Sequence, residues 1–220
     1  MPVEVDHAFI ACAPGAPEAD ALLQLGLVEG SPNSHPGQGT ANRRFYFDRF
    51  MLELLWVADP AEAAGALARR TRLWERCSRQ SLANSPFGII FRSSTKGDSQ
   101  SPFRSWSYYP SYLPPGLAIE IAEATTLEEP ELFYLPFVRG PRVPTIEPTN
   151  QSLPVGRFRS LLVGLRSLSA LSEASRTVER LGLLTYFESR EHVLEIHFEG
   201  PVQMRVDLQP VLPLVLQVAP

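Results

Sequence analysis

Glu53 stands inside MLELLWV (Met51 to Val57), an otherwise apolar strand-like run, where an ionised carboxylate is costly to bury unless it is paired, hydrogen-bonded or metal-bound. It is therefore the first candidate for a catalytic group. The preceding run, Asn42 to Asp48, alternates so that Arg44 and Tyr46 share a face, and a guanidinium fork there suits a ligand carboxylate or phosphate, or Glu53 itself. His7, in the strand-like Val3 to Cys12, adds an imidazole that either serves the site or is an ordinary satisfied strand histidine. Toward the C-terminus Glu195 and His197 alternate against Leu194, Ile196 and Phe198, and Gln203, Arg205 and Asp207 against Met204, Val206 and Leu208. A cupped sheet would gather these polar faces on its inner side, His197 and Arg205 beside His7, Arg44, Tyr46 and Glu53. A segment dense in aromatics, Ser93 to Pro115, carries Trp106 and Tyr108, and such segments are packed on either the core or a ligand. Arg44, Tyr46, Trp106, Tyr108 and Arg205 are the candidate ligand contacts.

What the chain lacks narrows the chemistry. There is no G-x-S-x-G elbow and no Walker A loop. The stretch HPGQGTANRRFYFD (His35 to Asp48) is rich in glycine, yet it runs into a strand and opens no helix, so it does not read as a phosphate loop. What remains is metal- or carboxylate-assisted chemistry on a small polar molecule, or binding without chemistry.

The elements that must position these groups follow from periodicity. Val3 to Cys12 reads as a strand, Pro17 to Leu25 as a short helix ended by Gly26, and Asn42 to Asp48 and Phe50 to Val57 as an antiparallel pair turning at Asp48 and Arg49. Asp59-Pro60-Ala61-Glu62 starts a helix that continues to about Gln80, and Phe87 to Arg92 and Leu117 to Ala124 are further strands. Pro141 to Pro154 holds four prolines with little periodicity and reads as a linker. Beyond it the first pattern returns: strand Phe158 to Leu165, helix Ser169 to Leu181 ended by Gly182, then strands His192 to Glu199, Val202 to Leu208 and Leu212 to Val218.

At 220 residues, 44% hydrophobic and 20% charged with a formal charge of −4, the composition matches a globular chain and gives no reason to expect nucleic acid or a membrane surface. Cys12 and Cys77 form neither a C-x-x-C arrangement nor a disulfide framework, so reduced thiols and a cytoplasmic setting are expected. Monomer and homodimer both remain open.

The order of elements, with VDH (Val5, Asp6, His7) in the first strand and HPGQGTANRRFYF followed by LELLWV, resembles the glyoxalase-like group of the vicinal oxygen chelate superfamily, which includes glyoxalase I, extradiol dioxygenases and bleomycin-resistance proteins. The resemblance implies an α+β fold of two paired βαβββ modules whose cupped mixed sheet encloses one cleft, helices on the outer face. It places the modules at 1–140 and 157–220 with a linker at 141–156. It also implies, in some members, a divalent metal (Zn, Fe, Mn or Ni) drawn to the first and third strands of each module, where this chain offers His7 and Glu53. The second module offers no firm match, and His197 is the candidate to complete the set. Two functions are expected on this footing: metal-assisted lyase, isomerase or dioxygenase-like chemistry on a small, anionic molecule, or metal-free sequestering of one.

Overall fold

Alternation of apolar residues builds the first unit. The computed structural model describes residues 3–78, 81–97, 100–140, 146–169 and 171–220. β1 (Val3–Ala11), α1 (Ala19–Gln24), β2 (Asn33–His35), β3 (Thr40–Phe47) and β4 (Phe50–Val57) form a βαβββ module of strand order β2-β3-β4-β1, with β4 parallel to β1 and antiparallel to β3. The β3–β4 hairpin turns at Asp48 and Arg49 as expected, Arg49 taking the left-handed region at φ 66°. The helix expected over 59–80 is shorter and broken. α2 (Pro60–Ala64) begins as read, its cap Asp59 accepting from the amides of Ala61 and Glu62, but Gly65 leaves it extended. A 3-10 turn (Arg69–Thr71) and α3 (Leu73–Cys77) follow, separated by Arg72 in the left-handed region, and Gln80 lies outside the described residues.

β5 (Phe87–Ser93), β6 (Ser105–Tyr108), β7 (Ile119–Ala122) and β8 (Glu131–Leu135) repeat the module's strand order, with β8 parallel to β5. β1 and β5 pair antiparallel, and this joins the two modules into one curled, mixed, eight-stranded sheet. The α+β class and the paired modules around a cup are thus present. The partner of the first module is the stretch 87–135, however, not 157–220. Its sequence hides the relation because no helix stands between Ser93 and Ser105 among the described residues; Phe103 instead packs edge-on against Phe91 from a loop.

β9 (Phe158–Leu165), α4 (Glu173–Arg180), β10 (Thr185–Glu188), β11 (Val193–Glu199), β12 (Met204–Asp207) and β13 (Leu214–Ala219) make a separate five-stranded sheet of order β10-β9-β11-β13-β12. One apolar layer joins the convex face of the large sheet to the inner face of the small one, with Ala8, Ile10, Leu52 and Leu54 meeting Leu161, Ile196 and Leu216, and with Leu22 of α1 and Val178 of α4 between. Phe50 stacks on Phe158 at 4.6 Å and 12°, and Phe47 meets Phe198 at 4.8 Å. Because Leu194, Ile196 and Phe198 are used in that layer, Glu195 and His197 point to the far face of the small sheet. Arg205 lies there too, 3.7 Å from Glu195 and 3.6 Å from Asp207. The expectation that His197 and Arg205 share a cleft with His7 and Glu53 is therefore corrected. Alternation says which residues share a face, not which sheet that face belongs to.

Candidate functional site

On the concave side of the large sheet, β1 offers His7, Phe9 and Ala11, β3 offers Asn42, Arg44 and Tyr46, and β4 offers Met51, Glu53 and Leu55, since the residues between them enter the convex layer. The half built by the second module is closed. Phe9, Leu55, Ile90, Ile121 and Phe133 pack there under Leu73 and Cys77 of α3. Tyr108 is buried in this cluster, and burial pushes its phenol up to about 12. Trp106 is covered by the guanidinium of Arg70, 4.1 Å from its ring centre. Of the two alternatives for this segment, core or ligand, both aromatics thus take the core, as part of the apolar filling of the concave side.

The first module's half keeps polar groups. Glu53 is 8% exposed, and its Oε1 lies 3.9 Å from Nε2 of His7. The other ring nitrogen of His7 is 2.7 Å from Oδ2 of Asp6. Adjacent strand residues normally face opposite ways. Here the β1–β5 ladder shifts register between Val5 and His7, a bulge that sends Val5 into the convex layer and lets Asp6 meet His7. Asp6 in turn lies 3.8 Å from Arg92, which also faces Glu4 at 3.6 Å and donates to the carbonyl of Gly140.

Arg44 stands opposite Glu53 in the β3–β4 register. Its guanidinium nevertheless turns outward: Nε donates to the carbonyl of Ser31 at 2.7 Å, Nη2 lies 3.8 Å from Glu147, and its centre sits 5.4 Å from the ring of Tyr46. Burial raises the Tyr46 phenol, with Arg44 opposing. Gln151 holds the same edge by donating to the carbonyl of Tyr46 at 2.7 Å.

A second polar chain comes from the HPGQG stretch, whose sequence did not read as a phosphate loop. His35 has Nδ1 2.9 Å from Oγ1 of Thr40 and Nε2 3.2 Å from the side-chain Nδ2 of Asn33, and its ring lies 4.8 Å from that of Tyr112. Tyr112 donates to Gln38, which donates to Thr40 at 2.7 Å. Burial lowers the His35 imidazole; Glu53 opposes this, while His7 and Arg44 add to it, so these four groups share one electrostatic neighbourhood. Burial also raises the Tyr112 hydroxyl, and Glu53 adds to the rise. The turn that carries this chain needs its glycines. Gly39, at φ 73°, would set a Cβ 2.3 Å from the carbonyl oxygen of Asp59. Asp6, His35 and Tyr112 were not legible as site residues, because bulges and loop closures leave no periodic mark.

Below this cluster a groove of about 1080 Å³ opens between the lower ends of β1, β3, β4 and β5 and the segment 149–157, lined in part by Asp6, Tyr46, Met51 and Arg92 with Arg49 and Arg157 at exposed positions.

A divalent ion would find two donors here. His7 Nε2 and Glu53 Oε1 could share one ion, but across the ladder from His7 stand Ile90 and then Phe133, which supply no donor, and both nitrogens of His35 are engaged. Among the described residues no group of three His, Cys, Asp or Glu comes together to hold a metal. Protein metal centres of this ligand type use at least three side chains. The residues therefore do not fit a resident ion.

A hypothetical protein from Staphylococcus aureus aligns over 100% of both chains at 9% identity and TM-score 0.55. A xylose isomerase-like TIM barrel/4-hydroxyphenylpyruvate dioxygenase fusion protein gives 11% identity and TM-score 0.43 over 90% of this chain and 36% of its own. A mutant of 4-hydroxymandelate synthase from Streptomyces coelicolor gives 13% and 0.44 over 99% of this chain and 62% of its own. No curated protein matches the chain. The model of a glyoxalase-like domain matches residues 5–115, half of the chain and all of the first module but Val3 and Glu4, and on that match the chain belongs to the glyoxalase-like domain family that its sequence resembles.

Proposed function

We propose that this protein acts on a small molecule seated between the groove and the concave face, and that it moves a proton without a resident metal ion. The observation that carries this reading is the run Asp6–His7–Glu53, with 2.7 Å at Nδ1 and 3.9 Å at Nε2. Asp6 accepts from Nδ1 and leaves Nε2 as the basic nitrogen, the arrangement a general base requires. His7 takes a proton from an acidic C–H of the ligand and returns it to a neighbouring carbon or oxygen. Glu53, beside Nε2, stabilises the imidazolium that forms in between. An anionic ligand is favoured by Arg49 and Arg157 on the groove, since Arg44 and Arg205 lie beside protein carboxylates.

The test is isotope exchange. Small hydroxy- and keto-acids incubated with the protein in D2O are followed by proton NMR for loss of the C–H signal beside the carbonyl. Washout in the wild type that disappears in His7→Ala and Glu53→Gln supports the reading, and no washout from any member of the panel refutes it. A second reading, sequestering without chemistry, is favoured by the size of the groove, and saturable binding without exchange would select it.

A further inference from the structure

Neither His7 nor Glu53 lines the groove, and their side chains are only 14% and 11% exposed, so a ligand meets Nε2 of His7 only after a covering segment moves. The segment between β6 and β7 is the least firmly held of those around the cup. Tyr108 pairs with Ile119, which leaves 109–118 as a hairpin loop well beyond the usual length of about two to five residues. Its turns are its own, Leu113 donating to the carbonyl of Pro110 and Leu117 to that of Pro114. The stem is firm, since Ser105 and Ser107 both donate to Glu120, at 2.7 and 2.6 Å, and Gly116, exposed at φ 89°, gives the loop a pivot at one end. Among the described residues no backbone hydrogen bond ties the loop to the first module. Side chains do so instead: Oγ of Ser111 donates to the carbonyl of Pro36 at 2.8 Å, the hydroxyl of Tyr112 donates to Gln38 at 3.2 Å, and the Tyr112 ring rests on His35. The HPGQG turn is shaped to receive them. Gly37 has φ 78°, and a Cβ there would stand 2.3 Å from Oγ of Ser111. With the loop in place Gln38 and Thr40 are buried.

We propose that 109–118 is a hinged lid, latched by Ser111 and Tyr112 onto the HPGQG turn, that opens to admit ligand to His7 and Glu53 and closes over it to exclude water. A neutral hydrogen bond shifts such an equilibrium by only about two- to tenfold, so two of them and one ring contact keep the lid mostly shut while an open form stays populated. Closure strengthens the attraction between Glu53 and a protonated His7 by removing water from between them. α3 is no rival for this role, because Leu73 and Cys77 are packed in the apolar cluster beneath it.

This inference rests on the concave face being the ligand site, and one arm of its test needs no ligand. Chymotrypsin cuts after Tyr112 only when that ring has left His35, and slow cutting of the native protein follows the open population. The proteins compared are wild type, the latch variant Ser111→Ala with Tyr112→Phe, which keeps the cleavage site, and the lock Gly37→Cys with Ser111→Cys. A Cβ at position 37 would lie 3.4 Å from Cβ of Ser111, close to the spacing that a disulfide spans. Cutting at position 112 is expected to be at least fivefold faster in the latch variant at an unchanged melting temperature, and at least tenfold slower in the oxidised lock. Isotope washout from the hydroxy- and keto-acid panel is expected to be lost in the oxidised lock and to return when the lock is reduced. Equal cutting of wild type and latch variant overturns the proposal, and that comparison decides alone should the lock fail to fold or to oxidise. Faster cutting matched by a lower melting temperature overturns it too, as does washout from the oxidised lock at the wild-type rate. Washout from none of the proteins, with cutting ordered as expected, removes the proton-transfer reading and leaves the lid standing.

Discussion

Asp6 and His7 are adjacent residues of one β-strand, yet their side chains meet at 2.7 Å, because the ladder to β5 slips between Val5 and His7. A strand in regular register would place them on opposite faces, one in the apolar layer and one in the cup. The bulge both fixes the tautomer of the imidazole and keeps the carboxylate out of the convex core.

The first prediction follows from that contact. Asp6→Asn should leave the fold intact and lower the rate of exchange by about 10²-fold or more through loss of the orienting acceptor, while His7→Ala lowers it by about 10²–10⁴-fold, the usual span for a general base. Initial washout rates at saturating substrate check this. A slower rate in Asp6→Asn with unchanged half-saturation is the expected split, since Asp6 acts through His7.

Metal removal is the second. With two donors, His7 and Glu53, and no third among the described residues, dialysis against a chelator should not move the melting temperature, and added zinc should not raise it through these residues. Differential scanning calorimetry of wild type and Glu53→Gln checks it: zinc stabilisation lost in the variant would show a site that the residues do not predict.

Stability should fall in mild acid. Burial lowers the imidazoles of both His35 and His192 below the ordinary value of 6.5. In the unfolded chain both bind protons as the pH drops through that value, while the folded chain does not until its lower values are reached. Stability is then fully present above pH 6.5 and is lost as the pH falls toward the folded pKa values. Melting temperatures at pH 7.5 and 5.5 should differ, and the double variant His35→Gln, His192→Gln should show a smaller difference.

Joining the two sheets is a further testable point. Phe50 is buried and stacks on Phe158 at 4.6 Å. Phe50→Ala should cost about 3–5 kcal/mol, the range for a large aromatic deleted from a core. Urea denaturation followed by tryptophan fluorescence measures it, and an effect below 1 kcal/mol would mean that the junction contributes little.

Most strands, the helix start at Pro60, the presence of a helix between Ser169 and Leu181, and the face that Arg44, Tyr46 and Glu53 share were determined by the sequence alone. Each depends on short-range periodicity or a capping residue, and these act within a few positions of the chain. Membership of the paired-module fold was legible for the same reason, in the first strand and in LELLWV. Which segment supplies the second module, and which sheet owns His197 and Arg205, only the tertiary structure decided. The β1–β5 ladder joins residues some 80 positions apart, and the apolar layer turns the polar face of β11 away from the cup. The meeting of Asp6 with His7, the approach of His35 and Tyr112, and the full burial of Asn42 belong to the same class. A bulge, a loop closure and the final burial of one side chain depend on contacts that no local pattern in a sequence can carry.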